Sequence, residues 1–195
     1  MAKGSIRRIA FRRRREQKTN YHQRERLIKS GKVRLIIRNT LSHSIIQFAS
    51  PGKNGDIIIT AATTAELSKY GWKGSCKNIP ANYLVGYLAG LKAKEAGLTL
   101  AMLDAGVKKP HYGSRVYAGV KGVIDTGMEV PLGDGVVPDE GRIKGEHIVK
   151  YWETLEDSDE KKHMFSQYLA RGMNPKQISE HLEEVKQNIE KVFRR

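Results

Sequence analysis

The chain has one cysteine, Cys76, among 195 residues. No intrachain disulfide can form, and a cysteine-based zinc site is excluded. That suits a reducing, cytosolic setting. No apolar run approaches the roughly 18 residues that a membrane span needs. The basic N-terminal stretch lacks the apolar core of a signal peptide, and it makes a poor apolar helical face for a mitochondrial presequence. A soluble, cytoplasmic protein is expected. A hydrophobic fraction of 39% and a charged fraction of 29% allow a modest core. The length fits one domain with attachments, or two small ones.

Acidic residues are scarce where basic ones are dense. The formal net charge is +14. Residues 1–38 carry fourteen Lys/Arg against two Asp/Glu, whereas residues 139–195 carry eleven against twelve. The excess therefore sits at one end, which points to a polyanion-binding arm. Such a density of like charge predicts an arm over 1–31 that stays mobile until counter-charges arrive. A nuclear-type address or a solubilising tail is the plainer alternative. Phe11, Tyr21 and His22 favour nucleic acid, because planar groups among arginines suit stacking on unpaired bases.

Residues 32–60 read as three strands joined by Asn39–Ser42 and by the dense turn chemistry of 50–55. Thr63 and Glu66 have capping-box spacing for a short helix that ends at Gly71. The loop 70–77 holds two aromatics and two lysines, and Trp72 fits either a core anchor or an RNA-facing ring. Asn78 caps the next helix with Pro80 in its first turn, and Gly97 stops it. Gly86 and Gly90, four apart, predict close packing on a neighbour, with the sheet favoured. Leu98, Leu100 and Met102 alternate as a buried strand. Val116, Val120, Val123 and Ile124 then form one helical face that stops at Gly127.

Residues 128–138 are rich in Gly and Pro and read as a linker. Beyond them, a helix is expected within 141–153 and a clearer one capped by Ser158. A last helix starts at Asn174-Pro175 and carries Ile178, Leu182, Val185, Ile189 and Val192 on one side. These nearly neutral helices would dock on the α/β core or on a partner protein.

Several chemistries are missing. There is no phosphate-binding G-x-x-x-x-G-K-[ST] loop and no G-x-G-x-x-G between strand and helix. The ligand spacing of a calcium loop fails at Gly133-Asp-Gly135. The six histidines never fall at i, i+4, so no helical metal pair exists. A metal-dependent nuclease using Asp56, Asp104 and Asp125 is the sharpest enzymatic rival. A regulator that binds many RNAs comparably well is a rival of a different, non-enzymatic class. No cofactor and no catalytic residue is expected.

What the chain does hold is a loop between strand and helix, 104–115. It carries Lys108, Lys109, His111, Tyr112, Ser114 and Arg115 to a helix start, where backbone N–H groups favour an anion. Lysine and arginine can hold phosphates, and tyrosine and histidine can stack on bases. The full set of expected RNA-binding residues adds Arg7, Arg8, Arg12, Arg13, Arg14, Arg15, Lys18, Tyr21, Arg24 and Arg26 on the arm. It also includes Arg34, Arg38 and His43 in the first strands, with Trp72, Lys73 and Lys77 in the glycine-broken loop.

The most specific pieces are Arg34-Leu-Ile-Ile-Arg-Asn-Thr-Leu-Ser-His43, Ala61-Ala-Thr-Thr64 and Asp104-Ala-Gly106. Tyr112-Gly-Ser-Arg-Val-Tyr-Ala118 and Lys121-Gly-Val-Ile-Asp125 complete them. Together, over roughly residues 5–130, the chain resembles the 5S-rRNA-binding family of the large ribosomal subunit, number eighteen of the bacterial series, in its archaeal form. It departs from the bacterial pattern after Asp104, where Ala-Gly stands instead of Arg-Gly-Gly; Lys108 or Lys109 could do the work of that arginine. The resemblance implies a structural constituent of the central protuberance and not an enzyme. It implies 5S rRNA, large-subunit rRNA and neighbouring ribosomal proteins as partners, among them a second 5S-binding protein. The expected architecture is α/β: a three-strand meander plus a further strand packed with helices in a core over 32–130. A basic N-terminal arm (1–31) precedes it, and a linker with a C-terminal helical extension (131–195) follows.

Overall fold

The computed structural model describes residues 9–155 and 159–193. Ser158, expected as a helix cap, lies outside them. Two short helices come first, α1 (Arg12–Arg15) and α2 (Tyr21–Lys29), the second capped by the Asn20 side chain on Gln23 N–H. Strands β1 (Arg34–Asn39), β2 (Ser44–Gly52) and β3 (Gly55–Thr63) form the antiparallel meander. The chain then runs through a 3-10 turn (Thr64–Tyr70) and helix α3 (Ile79–Glu95) to β4 (Met102–Asp104). That last strand lies parallel to β1, giving the sheet order β3-β2-β1-β4.

Alternation decides which face of the sheet is covered. Leu35, Ile37, Ile46, Phe48 and Ala62 are buried together under the helices. Arg34, Ile36 and Arg38 fall in the opposite phase. Thr63 and Glu66 form the expected capping box, and Gly71 ends the turn with a positive φ of 94°.

Helix α3 is buried on nearly every side, because the sheet, helix α4 (Arg115–Asp125) and the last helix all pack against it. Its glycines serve a helix neighbour and not the sheet, contrary to expectation. A Cβ on Gly86 would stand 2.0 Å from the carbonyl oxygen of Gly119, and one on Gly122 would stand 2.2 Å from that of Tyr83. A Cβ on Gly90 would meet the Thr126 side chain at 2.5 Å. Removing side chains at these crossings lets two backbones touch.

The alternating run 98–102 makes a shorter ladder than its pattern suggests, since it divides between two partners. Residues 102–104 pair with β1, while Leu100 bridges Glu129 in parallel. The stretch expected as a linker is consequently packed. Ala101 N–H donates to the Glu129 carbonyl at 3.0 Å, and Met128, Val130, Val136 and Pro138 are buried. Glycine and proline there set turns; they do not set exposure.

The helix expected over 141–153 is broken at Gly145, whose φ is 86°, into α5 (Glu140–Lys144) and α6 (Glu146–Thr154). Helices α7 (Asp159–Met164) and α8 (Ser166–Ala170) follow, then a 3-10 turn (Pro175–Gln177) and α9 (Ile178–Phe193). Ile178, Leu182, Val185 and Ile189 of α9 are buried in the same cluster as the sheet, whereas Val192 is exposed. Of the two surfaces open to these helices, the α/β core takes the apolar face of α9.

Candidate nucleic-acid interface

Arg34 is 1% exposed and carries its charge into the protein, so it needs anionic partners. It finds two. One guanidinium nitrogen meets Asp56 at the start of β3, and the other meets Asp104 at the end of β4, at 3.2 Å. Asp104 in turn accepts from Arg38 at 2.9 Å, and Asp56 accepts from Arg24 of α2 at 2.9 Å. The chain Arg24–Asp56–Arg34–Asp104–Arg38 thus joins the arm, both outer strands and the loop after β4. Burial alone would raise the Asp56 carboxyl, but Arg34 and Arg24 outweigh it and hold the group below its ordinary range.

The network has a consequence for the arm. Helix α2, within the arm, is ion-paired to the sheet through Arg24 and Asp56. A small cavity of about 120 Å³ separates the arm at Lys18–Gln23 from Asp104–Val107.

Beside it runs a wider groove of about 440 Å³. Lys18 of the arm, Arg38 of β1, and Lys108, Lys109, His111 and Arg115 line it. Gly106 has a φ of +80° and lies under the Arg38 guanidinium, which a Cβ would meet at 3.1 Å. Lys18 of the arm and the cations of 108–115, far apart along the chain, therefore line one groove.

The loop 70–78 is held from the C-terminal side. Trp72 is 5% exposed and stacks on His181, with ring centroids 5.3 Å apart and planes 14° from parallel. His181 Nε2 accepts the Lys73 N–H at 3.1 Å, and Arg171 donates to the Gly74 carbonyl at 2.7 Å. Asn78 donates to the Tyr168 hydroxyl at 3.1 Å. On the other side Arg115 donates to the Lys77 carbonyl at 2.8 Å, which brings this loop to the start of α4.

The expected contact residues fall into three groups. Arg7 and Arg8 lie outside the described residues. Arg34 and Trp72 are corrections: the first is enclosed by two carboxylates and the second by His181, so neither offers a surface to RNA. The others reach solvent. Arg12, Arg14, Arg15, Arg26, Lys73, Lys77, Lys108, Lys109, His43 and His111 are exposed, as is Tyr112 at 78%. Arg13 is exposed and bonds Thr19, Lys18 pairs with Glu16, and Arg24 pairs with Asp56. Tyr21 is half-buried against Phe11 at 5.2 Å. Arg38 keeps 43% of its side chain exposed. Ser114 takes the N-cap position of α4 without a side-chain cap bond, and Arg115 is half-buried. His43 lies in the β1–β2 turn, where its backbone pairs with Thr40.

The nuclease carboxylates do not converge on an open site. Asp56 and Asp104 hold arginines, and Asp125 holds Lys121 at 2.7 Å and the Tyr83 hydroxyl at 2.9 Å. Burial and the Asp125 charge push the Tyr83 phenol far above its usual range. Among the described residues, no group of His, Cys, Asp and Glu is placed to hold a metal ion.

Two residues matter here that the sequence pattern did not single out: Arg171 and His181, as braces of the 70–78 loop. Asp56 and Asp104, weighed in the sequence as nuclease carboxylates, serve instead as anchors for arginines. A signal existed for Asp104. It shares the phase of Met102 and stands opposite Ile36, on the sheet face of Arg34 and Arg38, and a buried carboxylate there must find a cation. No comparable signal marks His181, whose partner lies 108 residues away.

A family profile described as ribosomal large subunit proteins 60S L5 and 50S L18 matches residues 7–99. Among curated proteins, the large ribosomal subunit protein uL18 of Thermofilum pendens is 46% identical over 195 residues, covering 99% of this chain and 100% of the relative. That of Methanothermobacter thermautotrophicus is 45% identical over 97% of this chain and 98% of its own. That of Korarchaeum cryptofilum is 47% identical over 97% of each.

Proposed function

The chain belongs to the large-subunit ribosomal family of 60S L5 and 50S L18, and from that membership we propose that it binds 5S rRNA and helps anchor it to the large rRNA. Its general role is that of a structural, non-enzymatic constituent of the large ribosomal subunit. The finer proposal extends to the central protuberance and to a 5S particle shared with a second protein.

One observation carries it: the groove into which Lys18, Arg38, Lys108 and Arg115 converge from the arm, the sheet and α4. Lysine and arginine give phosphate contacts that position an RNA without reading its sequence. The exposed Tyr112 and His111 beside them suit stacking on unpaired bases. With about six to ten phosphate contacts, affinity would fall by about three to five powers of ten between about 50 and 200 mM salt on the duplex scale.

The test is a competition assay with labelled 5S rRNA at near-physiological salt, challenged with excess tRNA and then with unlabelled 5S rRNA. Displacement by the 5S competitor alone supports specific recognition of one folded RNA. Equal displacement by tRNA would mean that charge drives binding, and the chain would be a general RNA binder.

A further inference from the structure

We propose that Asp104 is a positioning residue for the RNA groove: it touches no RNA itself but sets where Arg38 and the 105–111 loop stand. The inference rests on the RNA-binding role proposed above and goes beyond it by naming the group that organises the site.

Asp104 is 7% exposed and makes contacts in three directions. Its Oδ1 accepts from Arg38 Nη2 at 2.9 Å and from the Gly106 backbone N–H at 2.9 Å. Its Oδ2 accepts from Arg34 at 3.2 Å, and its backbone carbonyl accepts from Arg38 Nη1 at 2.6 Å. Arg38 is therefore gripped twice by one residue, through side chain and main chain, while 43% of its side chain remains open to the groove. The Gly106 bond turns the chain sharply just after the strand and fixes the direction in which Lys108 and Lys109 leave it. A guanidinium and a carboxylate in this geometry lose their freedom before any ligand arrives, so an RNA phosphate meets a cation already in place.

The test turns on the sign of a charge change. Asp104→Asn removes a negative charge from a protein that binds a polyanion. If overall charge governed binding, the variant would hold RNA more tightly, with an unchanged or steeper dependence on salt. If Asp104 positions the groove, the variant binds at least about tenfold more weakly. The slope of log Kd against log salt then flattens by about one to two, as phosphate contacts are lost. Asp134→Asn in an exposed loop is the charge-matched control and should bind as tightly as the native chain or slightly more so.

Gly106→Ala is the second variant, in case Asp104→Asn does not fold. It leaves every charge and the Arg34 pairs intact but disturbs the turn and presses on Arg38, and the same flattening is expected. Labelled 5S rRNA titrated at several salt concentrations, with circular dichroism on each variant, reads all of these. Native binding with folded variants that keep the native slope would overturn the positioning role. A native chain that binds no RNA would overturn the RNA-binding proposal and this inference together.

Discussion

Arg115, the first residue of α4, donates to the backbone carbonyl of Lys77, which directly precedes the N-cap of α3. One guanidinium thereby holds two helix starts side by side and brings the 72–77 and 108–115 loops into one surface. The start of α4, where Ser114 makes no side-chain cap bond, adds its partial positive charge to the side-chain cations, whereas Asn78 caps the Ala81 N–H at the start of α3.

Arg115→Ala should separate these loops while leaving the core intact. The bond is partly open to solvent, so its loss should lower stability by about 0.5–1.5 kcal/mol and the melting midpoint by a few degrees. RNA affinity should fall by about tenfold, or about 1.4 kcal/mol. Thermal melts followed by circular dichroism, with filter binding to 5S rRNA, separate the two effects. Arg115→Lys keeps the charge but not the planar fork, and it should fall between the two. A variant that melts far below the native chain would make Arg115 a core residue.

The contact between α3 and α4 depends on missing side chains. Gly86→Ala would drive a methyl group into the Gly119 carbonyl, and backbone cannot yield as a side-chain tip can. A loss of about 3 kcal/mol or more is expected, at the upper end for overpacked sites. Gly133→Ala is the control, since nothing stands within 4 Å of its Cβ position. Urea midpoints on both variants test the pair, and equal midpoints would mean that the helices can slide apart at little cost.

Much of this architecture was legible in the pattern of residues. The three strands, the Thr63–Glu66 capping box, the Asn78 cap and the buried stripe of α9 follow from local spacing, which local physics reads directly. Gly86 and Gly90 announced a close approach but not its partner, because a missing side chain does not say what fills the space. The 128–138 segment looked like a linker because glycine and proline mark bends, whereas its pairing with Thr99 and Ala101 is set by tertiary register. The site divides in the same way. Exposed cations in loops were visible from charge density, while the burial of Arg34 and Trp72 depended on partners distant in sequence. Charge alone does not separate an arginine that meets phosphate from one that meets Asp56 and Asp104.

Asp56 predicts how stability responds to acid. Its carboxyl is held below the ordinary range by Arg34 and Arg24, so the charged form is favoured by folding. The stability it supplies is complete above the unfolded value near 3.9 and is lost as pH falls through the lower folded value. Asp56→Asn should therefore cost about 1 kcal/mol at neutral pH, since solvent reaches the carboxylate and screens the pairing, and the gap to the native chain should narrow as pH falls below about 4. Urea unfolding across that range measures it. A gap that stays constant with pH would mean that the pairing with Arg34 contributes nothing through its charge.

Trp72 and Tyr112 are both aromatic residues in loops that meet at Arg115, yet the structure assigns them opposite roles. Trp72 is enclosed and stacked on His181, so Trp72→Ala should cost about 3–5 kcal/mol of stability. Tyr112 stands 78% exposed, so Tyr112→Ala should leave the melting midpoint within the scatter of a surface substitution, about 0.5 kcal/mol. If its ring stacks on an unpaired base, the same change should weaken RNA binding by about 1–3 kcal/mol, from fivefold to more than a hundredfold. His181→Ala should follow Trp72→Ala in melting, though to a smaller extent, because it removes one face of the stack. Melting curves and 5S rRNA titrations on the three variants check the division of labour. If Tyr112→Ala melts early while binding RNA normally, that ring belongs to the fold and the stacking surface must be sought elsewhere in the groove.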